Sequence, residues 1–349
     1  MDNLALYRKY RPKNFEEVLG QDHIIKVLES SIKMNKLSHA YLFVGSRGTG
    51  KTSVARIFAE QIGISKNDTY EIDAASNRGI ADIKDLRDGT RVLPFDSKYK
   101  IYIIDEVHML SGDAWGAFLK TLEEPPKHVI FILATTELRK VPETIISRCQ
   151  VFTFKKPTDI ILKSCILSIA QKEGFELEPA GAELISILGD GSFRDAQGIL
   201  QKVLNFSPVE KTGKKITMTE IEKITGAPKT ILVNDFISAI ALKNLEQGIK
   251  AIKNASMENL DMKLFLKLII QKFRMAIILK YVPKIQNEMM GELSETDLEF
   301  LKNLIKEDKE GIMRSSALSI LLEAYQNIDR AFISELPLEI ALIKILNKE

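Results

Sequence analysis

Residues 40–52 read AYLFVGSRGTGKT, and this stretch decides the fold. It begins with a short apolar run, residues 40–44, that leads directly into a glycine-rich turn. The residues that follow, 52–62, carry apolar side chains at helical spacing. A strand, a G-x-x-x-x-G-K-[ST] turn and a helix in this order are the context of a phosphate-binding loop. The stretch therefore predicts a P-loop protein.

The P-loop is expected to hold the phosphates of ATP. Its glycines let backbone N–H groups turn toward phosphate oxygens, and the N-terminus of the following helix adds partial positive charge. Lys51 would reach the β- and γ-phosphates, and the Thr52 hydroxyl would bind Mg²⁺. The alternative, a chance glycine-rich turn, is disfavoured by the flanking strand and helix. The predicted phosphate-binding residues are Gly45, Ser46, Arg47, Gly48, Thr49, Gly50, Lys51 and Thr52.

A second apolar strand, residues 100–105, ends in two adjacent carboxylates, Asp105 and Glu106. A buried strand rarely ends in adjacent acids unless a cation or a substrate satisfies them. The first acid of such a pair helps to hold Mg²⁺ in P-loop enzymes. The second is the expected general base that polarises the attacking water. Two acids that merely cap a strand–helix turn are the alternative; beside a P-loop, the pair predicts ATP hydrolysis with Mg²⁺ held by Thr52 and Asp105.

The order of apolar runs predicts the architecture. Over about the first 155 residues, strands alternate with helices, as in a parallel sheet covered by helices on both faces. No strand is predicted after residues 152–157; short helices follow, an exposed loop is expected at 207–219, and longer amphipathic helices include 261–281 and 317–333. The apolar stripes of these two helices are expected to form mostly the core of their own domain; they consist of Leu264, Leu268, Phe273 and Ile277, and of Leu318, Leu321, Leu322, Tyr325 and Ile328. The predicted domains are an α/β nucleotide-binding domain (1–155), a small helical lid (156–226) and an all-α C-terminal domain (227–349).

Composition narrows the functional class. The chain has 349 residues, which suggests two or three domains, and its net charge of +2 gives no bulk attraction for nucleic acid. Two cysteines, Cys149 and Cys165, cannot form a disulfide framework or a four-thiolate metal site. Charged residues occupy the N-terminus where a signal peptide would be apolar, and no stretch predicts a membrane span. A cytoplasmic protein is therefore expected.

These motifs occur in one order with several others, and the set resembles the gamma/tau subunit family of the bacterial DNA polymerase III clamp loader, which belongs to the AAA+ class. The resemblance covers essentially the whole chain. The segments that carry it, besides the P-loop, are YRKYRP at 7–12, VLGQ at 18–21, EIDAAS at 71–76, DEVH at 105–108, LATTE at 133–137, SRC at 147–149, GSFRDA at 191–196 and LPLE at 336–339.

The resemblance implies roles that spacing alone does not. Val18 and its neighbours would line the pocket for the adenine base. Thr136 matches the first sensor of the γ-phosphate and Arg194 the second, while Arg148 matches an arginine finger that acts in trans on ATP bound to the neighbouring subunit. Each has an ordinary alternative: a β-forming threonine at a strand end, an arginine after a helix cap, and a surface arginine.

The resemblance also implies partners: the delta and delta-prime subunits, further copies of this chain, the sliding clamp and primed-template DNA, within a cytoplasmic replisome. Arg78, at the start of a helix, would contact the DNA backbone or else lie in a solvated turn. The third domain would form the collar of the assembly. Family members are grouped with DNA-directed DNA polymerase as holoenzyme subunits, but no polymerase active site is recognisable, so no nucleotide-adding activity is expected.

The sequence departs from the family in two places. Most members carry a four-cysteine zinc module before the EIDAAS strand, whereas residues 59–70 contain no cysteine, so no zinc site is expected. The chain also stops after the third domain, like the short form of the family. Two rival functions remain at this point: another AAA+ DNA machine such as a branch-migration helicase, and a non-hydrolysing scaffold like the delta-prime subunit. The intact Lys51 and Asp105 argue against the scaffold.

Overall fold

A computed structural model of the chain describes residues 4–206, 215–282 and 295–347. The chain divides into two compact units. The first comprises Met1–Ile166 and Ile185–Gln201, and the second comprises Leu167–Leu184 and Lys202–Glu349. The finer division into three domains, with boundaries after residues 155 and 226, stays a prediction.

A five-stranded parallel sheet forms the centre of the first unit. Its strands are β1 (Ala40–Val44), β2 (Thr69–Asp73), β3 (Lys100–Asp105), β4 (Val129–Thr135) and β5 (Gln150–Thr153). They lie in the order β2-β3-β4-β1-β5. The central strands β1 and β4 are buried along their whole length, as their uninterrupted apolar sequences predict. The predicted parallel sheet and the strands at 40–44 and 100–105 are confirmed.

Helices cover both faces of this sheet because successive side chains of a strand point to opposite sides. Along β1, Tyr41 and Phe43 belong to one buried cluster, and Leu42 and Val44 belong to another. The helices up to residue 206 are α1 (Leu6–Lys9), α2 (Asp22–Lys33), α3 (Lys51–Gln61), α4 (Ile80–Thr90), α5 (Gly112–Glu123), α6 (Glu143–Ile146), α7 (Asp159–Lys172), α8 (Pro179–Leu188) and α9 (Phe193–Phe206). Residues of α2 and α3 join the first cluster, and residues of α4 and α5 join the second.

The expectation that no strand follows residues 152–157 is wrong. Two short strands, β6 (Glu176–Leu177) and β7 (Lys215–Ile216), pair in parallel as a separate sheet. Each contributes only two residues, too few to show an alternating pattern in the sequence. Of the loop predicted at 207–219, residues 207–214 lie outside the described part of the chain.

The described residues after 217 are helical wherever they have regular structure. These helices are α10 (Met218–Thr225), α11 (Thr230–Ala241), α12 (Leu245–Met257), α13 (Met262–Tyr281), α14 (Glu295–Glu307), α15 (Ser315–Asn327) and α16 (Leu336–Asn347). Phe236, Phe265 and Leu342 are fully buried at their centre. Of the residues predicted to face the core on α13, Phe273 is buried, but Leu264 and Leu268 are half-buried. No helix of the described segments is long and apolar enough to cross a membrane.

Asp68 links the segment before β2 to the loop before β3. It has no exposed surface, and its carboxylate accepts hydrogen bonds from the backbone N–H groups of Phe95 (2.5 Å), Asp96 (2.8 Å) and Ser97 (2.8 Å). Burial alone would raise the pKa of Asp68, but these hydrogen bonds outweigh it and lower the pKa to about 2. The Asp68 carboxylate thus ties the segment at residues 65–68 to residues 95–97. Within the described ranges, no group of three or more His, Cys, Asp or Glu side chains could hold a metal ion.

We expect Asp68→Asn to destabilise the protein by about 2 kcal/mol at pH 7, because a charged acceptor of three N–H groups is lost. The folded pKa lies below the unfolded value, so the carboxylate stabilises fully above the unfolded value of 3.8 and its contribution disappears as pH falls toward 2. Urea unfolding from pH 8 to pH 3 measures the difference, with the exposed Glu60→Gln as the matched control. An Asp68→Asn deficit that does not shrink in acid would contradict this assignment.

Candidate nucleotide-binding site

The P-loop, residues 45–52, connects β1 to α3. Gly48 and Gly50 adopt positive φ values of 74° and 100°, which only glycine takes without strain. The Lys51 side chain is buried, and its Nζ donates to the carbonyl oxygens of Gly45 (2.8 Å) and Ser46 (3.0 Å). Burial lowers the pKa of Lys51, and the nearby Glu106 and Asp105 partly offset this effect. The ammonium group is therefore held in the loop by two carbonyls, with two acids nearby.

Two of the predicted Mg²⁺ ligands are in direct contact. The Thr52 hydroxyl donates to Oδ2 of Asp105 over 2.7 Å, and Oδ1 of Asp105 accepts from the backbone N–H of Glu106 at 3.0 Å. A hydroxyl and a carboxylate are the hard oxygen donors that Mg²⁺ prefers. The donor set therefore fits a Mg²⁺ ion between the P-loop and the end of β3.

Glu106 has a strained backbone and a polar partner from the neighbouring strand. Its φ of 48° lies in the left-handed region, which is unfavourable for residues other than glycine and which Asn35, Asp190, Lys243 and Asn259 also adopt. Its Oε2 accepts a hydrogen bond from the Thr136 hydroxyl at 3.0 Å. The preceding Thr135 instead contacts His108 (Oγ1 to Nδ1, 3.0 Å). Of the two threonines, Thr136 is thus the one that faces the acid pair, as the first-sensor prediction requires.

His108 is a site residue within the DEVH segment to which the sequence assigned no role. Its side chain is only 6% exposed, and its ring lies between two carboxylates: Nδ1 is 3.4 Å from Oε2 of Glu106, and Nε2 is 3.4 Å from Oε1 of Glu137. The pKa of Glu137 is lowered, chiefly by its hydrogen bond with Lys140. His108 therefore restricts the positions that the Glu106 carboxylate can take. The signal in the sequence was its place two residues after the acid pair.

Arg194, the predicted second sensor, lies near the start of α9 and its guanidinium carbon is 5.3 Å from the centre of the Tyr7 ring. The start of α9 contacts the P-loop directly, because the backbone N–H of Phe193 donates to the carbonyl of Gly48 at 3.0 Å. One cavity connects these groups. It is lined by the P-loop residues 47–53, Asp105 and Glu106, and by Tyr7, Tyr10, Val18, Leu19, Cys165, Phe193, Arg194 and Gln197, among others.

Arg148, the predicted arginine finger, does not line this cavity. Its guanidinium donates to Oε1 of Glu123 and to the carbonyl of Thr144, both at 2.7 Å, and the side chain is 34% exposed. The structure thus brings Lys51, Thr52, Asp105, Glu106, Thr136 and Arg194 to one site of the chain and leaves Arg148 outside it. Burial raises the pKa of the adjacent Cys149 thiol to about 12, so this thiol stays neutral.

A nucleoside triphosphate has the chemistry that this cavity fits, with phosphate-binding groups beside an apolar wall that includes Val18. The fold and the site together define a P-loop NTPase of the AAA+ class. Solved structures share this fold: the branch-migration motor RuvB of Thermotoga maritima is similar with a TM-score of 0.54 and 21% identity, over 72% of this chain and 86% of that chain. At that identity the likeness concerns the fold alone.

Within this class, the chain belongs to the gamma/tau subunit family of DNA polymerase III. It is 33% identical to DNA polymerase III subunit gamma of Buchnera aphidicola, over 98% of this chain and 93% of that relative. It is 39% identical to subunit tau of Bacillus subtilis over 84% of its length, and 36% identical to the gamma/tau subunit of Mycoplasma genitalium over 86%. The chain spans 57% and 52% of these last two relatives. A family model described as "DNA polymerase III, delta subunit" matches residues 20–78 and 64–158.

We expect Gly48 and Gly50 of the P-loop to differ in how well they tolerate a side chain. A Cβ on Gly48 would lie 1.9 Å from Oγ and 2.9 Å from Cβ of Ser192, whereas a Cβ on Gly50 meets no atom within 4 Å. We expect Gly50→Ala to show only the cost of the left-handed backbone, about 1 kcal/mol. Gly48→Ala should lose about 1–3 kcal/mol more because Ser192 and α9 must move. Thermal unfolding of both variants measures this, and equal melting temperatures would contradict it.

Proposed function

We propose that the chain is the ATP-hydrolysing motor subunit of a sliding-clamp loader that places the clamp on primed DNA during replication. The observation that carries this proposal is the convergence of Lys51, Thr52, Asp105, Glu106 and Thr136 at one edge of the sheet. These are the groups required to bind and hydrolyse ATP, and they occur in a chain of the gamma/tau family.

Each side chain has a definite task in this proposal. Lys51 leaves the carbonyls of the P-loop to bind the β- and γ-phosphates, and Thr52 and Asp105 hold Mg²⁺. Mg²⁺, when bound, neutralises charge that develops on the phosphate oxygens. Glu106 orients the attacking water and accepts its proton at the carboxylate. The Thr136 hydroxyl exchanges its hydrogen bond to Glu106 for one to the γ-phosphate. When that phosphate is bound, the Glu106 carboxylate is therefore released from Thr136.

Arg148 completes the site of a neighbouring subunit. Its position outside the cavity of its own chain supports this role, since an arginine that acts in trans must be presented at the surface. A guanidinium supplied in this way neutralises charge in the transition state and makes hydrolysis depend on assembly. The neighbours would be further copies of this chain and the delta and delta-prime subunits, with the clamp and primed-template DNA as the working partners. Arg78, exposed just before α4, would contact the DNA backbone.

The two rival functions are less well supported. The likeness to RuvB concerns the fold and does not favour a branch-migration helicase, whereas the relatives at 32–39% identity are DNA polymerase III subunits. A non-hydrolysing scaffold would not need the contacts among Thr52, Asp105 and Glu106. A catalogue assignment as a DNA-directed DNA polymerase would follow from holoenzyme membership and not from a polymerase site in this chain.

Steady-state ATP hydrolysis by the chain, assembled with delta, delta-prime and the clamp, tests the proposal with and without primed-template DNA. We expect clamp and DNA together to stimulate the wild type strongly. Arg148→Ala should reduce the stimulated rate at least about a hundredfold, because the transition-state charge loses its partner. Arg274→Ala, which removes an exposed arginine of α13, is the matched control and should leave the stimulated rate unchanged. Lys51→Ala should assemble but fail to bind ATP productively.

Different failures of this experiment have different meanings. A rate of ATP hydrolysis that does not change when the clamp is added would support an ATPase. It would overturn the clamp-loader function in favour of another AAA+ machine. Full stimulation of Arg148→Ala would overturn the trans role of this arginine. If the wild type hydrolyses no ATP in any assembly, the non-hydrolysing scaffold function is favoured instead.

A further inference from the structure

Gln197 lies in the candidate nucleotide cavity at a position that the phosphate-binding groups do not use. It lines the same cavity as the P-loop and Val18, yet it follows Phe193 by one turn of α9. The backbone N–H of Phe193 is bonded to Gly48, so the start of α9 is fixed at the P-loop. Residues four apart lie on one face of a helix and about 6 Å apart along its axis. Gln197 therefore faces the cavity about 6 Å further along α9 than the contact with the P-loop.

The surroundings of Gln197 are those of a base pocket. Val18 and Leu19, at the N-terminal segment, and Cys165 of α7 line the cavity with it. Gln197 is only 6% exposed. Its Nε2 donates to Sγ of Cys165 over 3.8 Å. The same amide carries a carbonyl oxygen, Oε1, which is an acceptor. Because Gln197 lines the cavity, this oxygen can accept a hydrogen bond from a donor on the ligand.

We propose that Gln197 is a specificity-determining residue that selects adenine over 6-oxopurines, through a hydrogen bond from the exocyclic amino group of the base to Oε1. This proposal rests on the proposed function, since it assumes that the cavity binds a nucleoside triphosphate. Adenine carries an amino donor at C6, whereas guanine and hypoxanthine carry a carbonyl acceptor there. With guanine or hypoxanthine, the C6 carbonyl and Oε1 of Gln197 would be two acceptors facing each other. A site that accepts a hydrogen bond from an amino group rejects an analogue that lacks this donor.

The contact with Cys165 gives the amide its direction. Because Nε2 of Gln197 donates to Sγ of Cys165, the other atom of the amide, Oε1, points away from Cys165. Cys165 thus acts as a positioning residue for Gln197, and the sulfur need not contact the base. Val18 and Leu19 contribute apolar contact area that does not distinguish one purine from another. Arg11 and Glu17 also line the cavity.

Equilibrium binding of three triphosphates to the full chain tests the proposal: ATP, purine riboside triphosphate with hydrogen at C6, and inosine triphosphate with oxygen at C6. We expect the wild type to bind ATP about tenfold more tightly than the purine analogue, the value of one well-placed hydrogen bond. Inosine triphosphate should bind more weakly than both. In Gln197→Leu, ATP and the purine analogue should bind equally, while affinity for the purine analogue changes less than about threefold.

Two further variants keep the test decisive. Gln197→Met keeps the length of the side chain without its acceptor and must behave like Gln197→Leu. Gln61→Leu makes the same exchange at an exposed position of α3 and must keep the wild-type preference. Unchanged ATP preference in both Gln197 variants, or a wild type that prefers inosine triphosphate, would overturn the role of Gln197 alone. A wild type that binds none of the three would overturn the proposed function itself.

Discussion

The parallel register of β4 between β1 and β3 is the constraint on which the candidate site depends. Val44 at the end of β1 pairs with Thr135 of β4, and Ile104 of β3 pairs with Leu133. Because all three strands are parallel, the segments that follow them meet at one edge of the sheet. A slip of β4 by one residue would exchange the faces of Thr135 and Thr136. Glu106 would then lose the hydroxyl that it now contacts.

Two charged groups of the site, and the predicted arginine finger outside it, have polar partners within the chain. Lys51 is bonded to P-loop carbonyls, Glu106 to Thr136, and Arg148 to Glu123. Removing one partner of a buried charge is costly, whereas exchanging one polar partner for another costs much less. In the proposed function, phosphate, water and the neighbour's ATP would provide the new partners. Under that proposal, the hydrogen-bond partners of these side chains change with the ligand that is bound.

The sequence predicted the elements that have strong local patterns. The P-loop stretch and the strand before Asp105 have continuous apolar runs and fixed motif spacing, and the structure matches them closely. The pairing of β6 with β7 could not be predicted, because two-residue strands have no periodicity. On α13, Phe273 is buried in the core and Leu268 is partly buried against it, as predicted, whereas Leu264 is half-buried and is not part of that cluster.

The missed parts of the site depend on tertiary placement. His108 contacts Glu137 on the segment after β4, and Gln197 reaches the cavity because the first residue of α9, Phe193, is bonded to Gly48 of the P-loop. Arg148 and Glu123 meet across 25 positions of the chain. None of these distances follows from local periodicity. The family resemblance supplied the roles of Arg148, Arg194 and Thr136, and the structure supplies their surroundings.

In the proposed function, Thr52 and Asp105 hold Mg²⁺ beside the phosphates of ATP. The most direct measurement is the dissociation constant of ATP for the wild type and for Asp105→Asn, with Mg²⁺ and with a chelator. The account predicts that Mg²⁺ tightens ATP binding to the wild type by about tenfold or more and has little effect on Asp105→Asn, which keeps the shape of the side chain but loses its charge. An equal effect of Mg²⁺ on both proteins would contradict it.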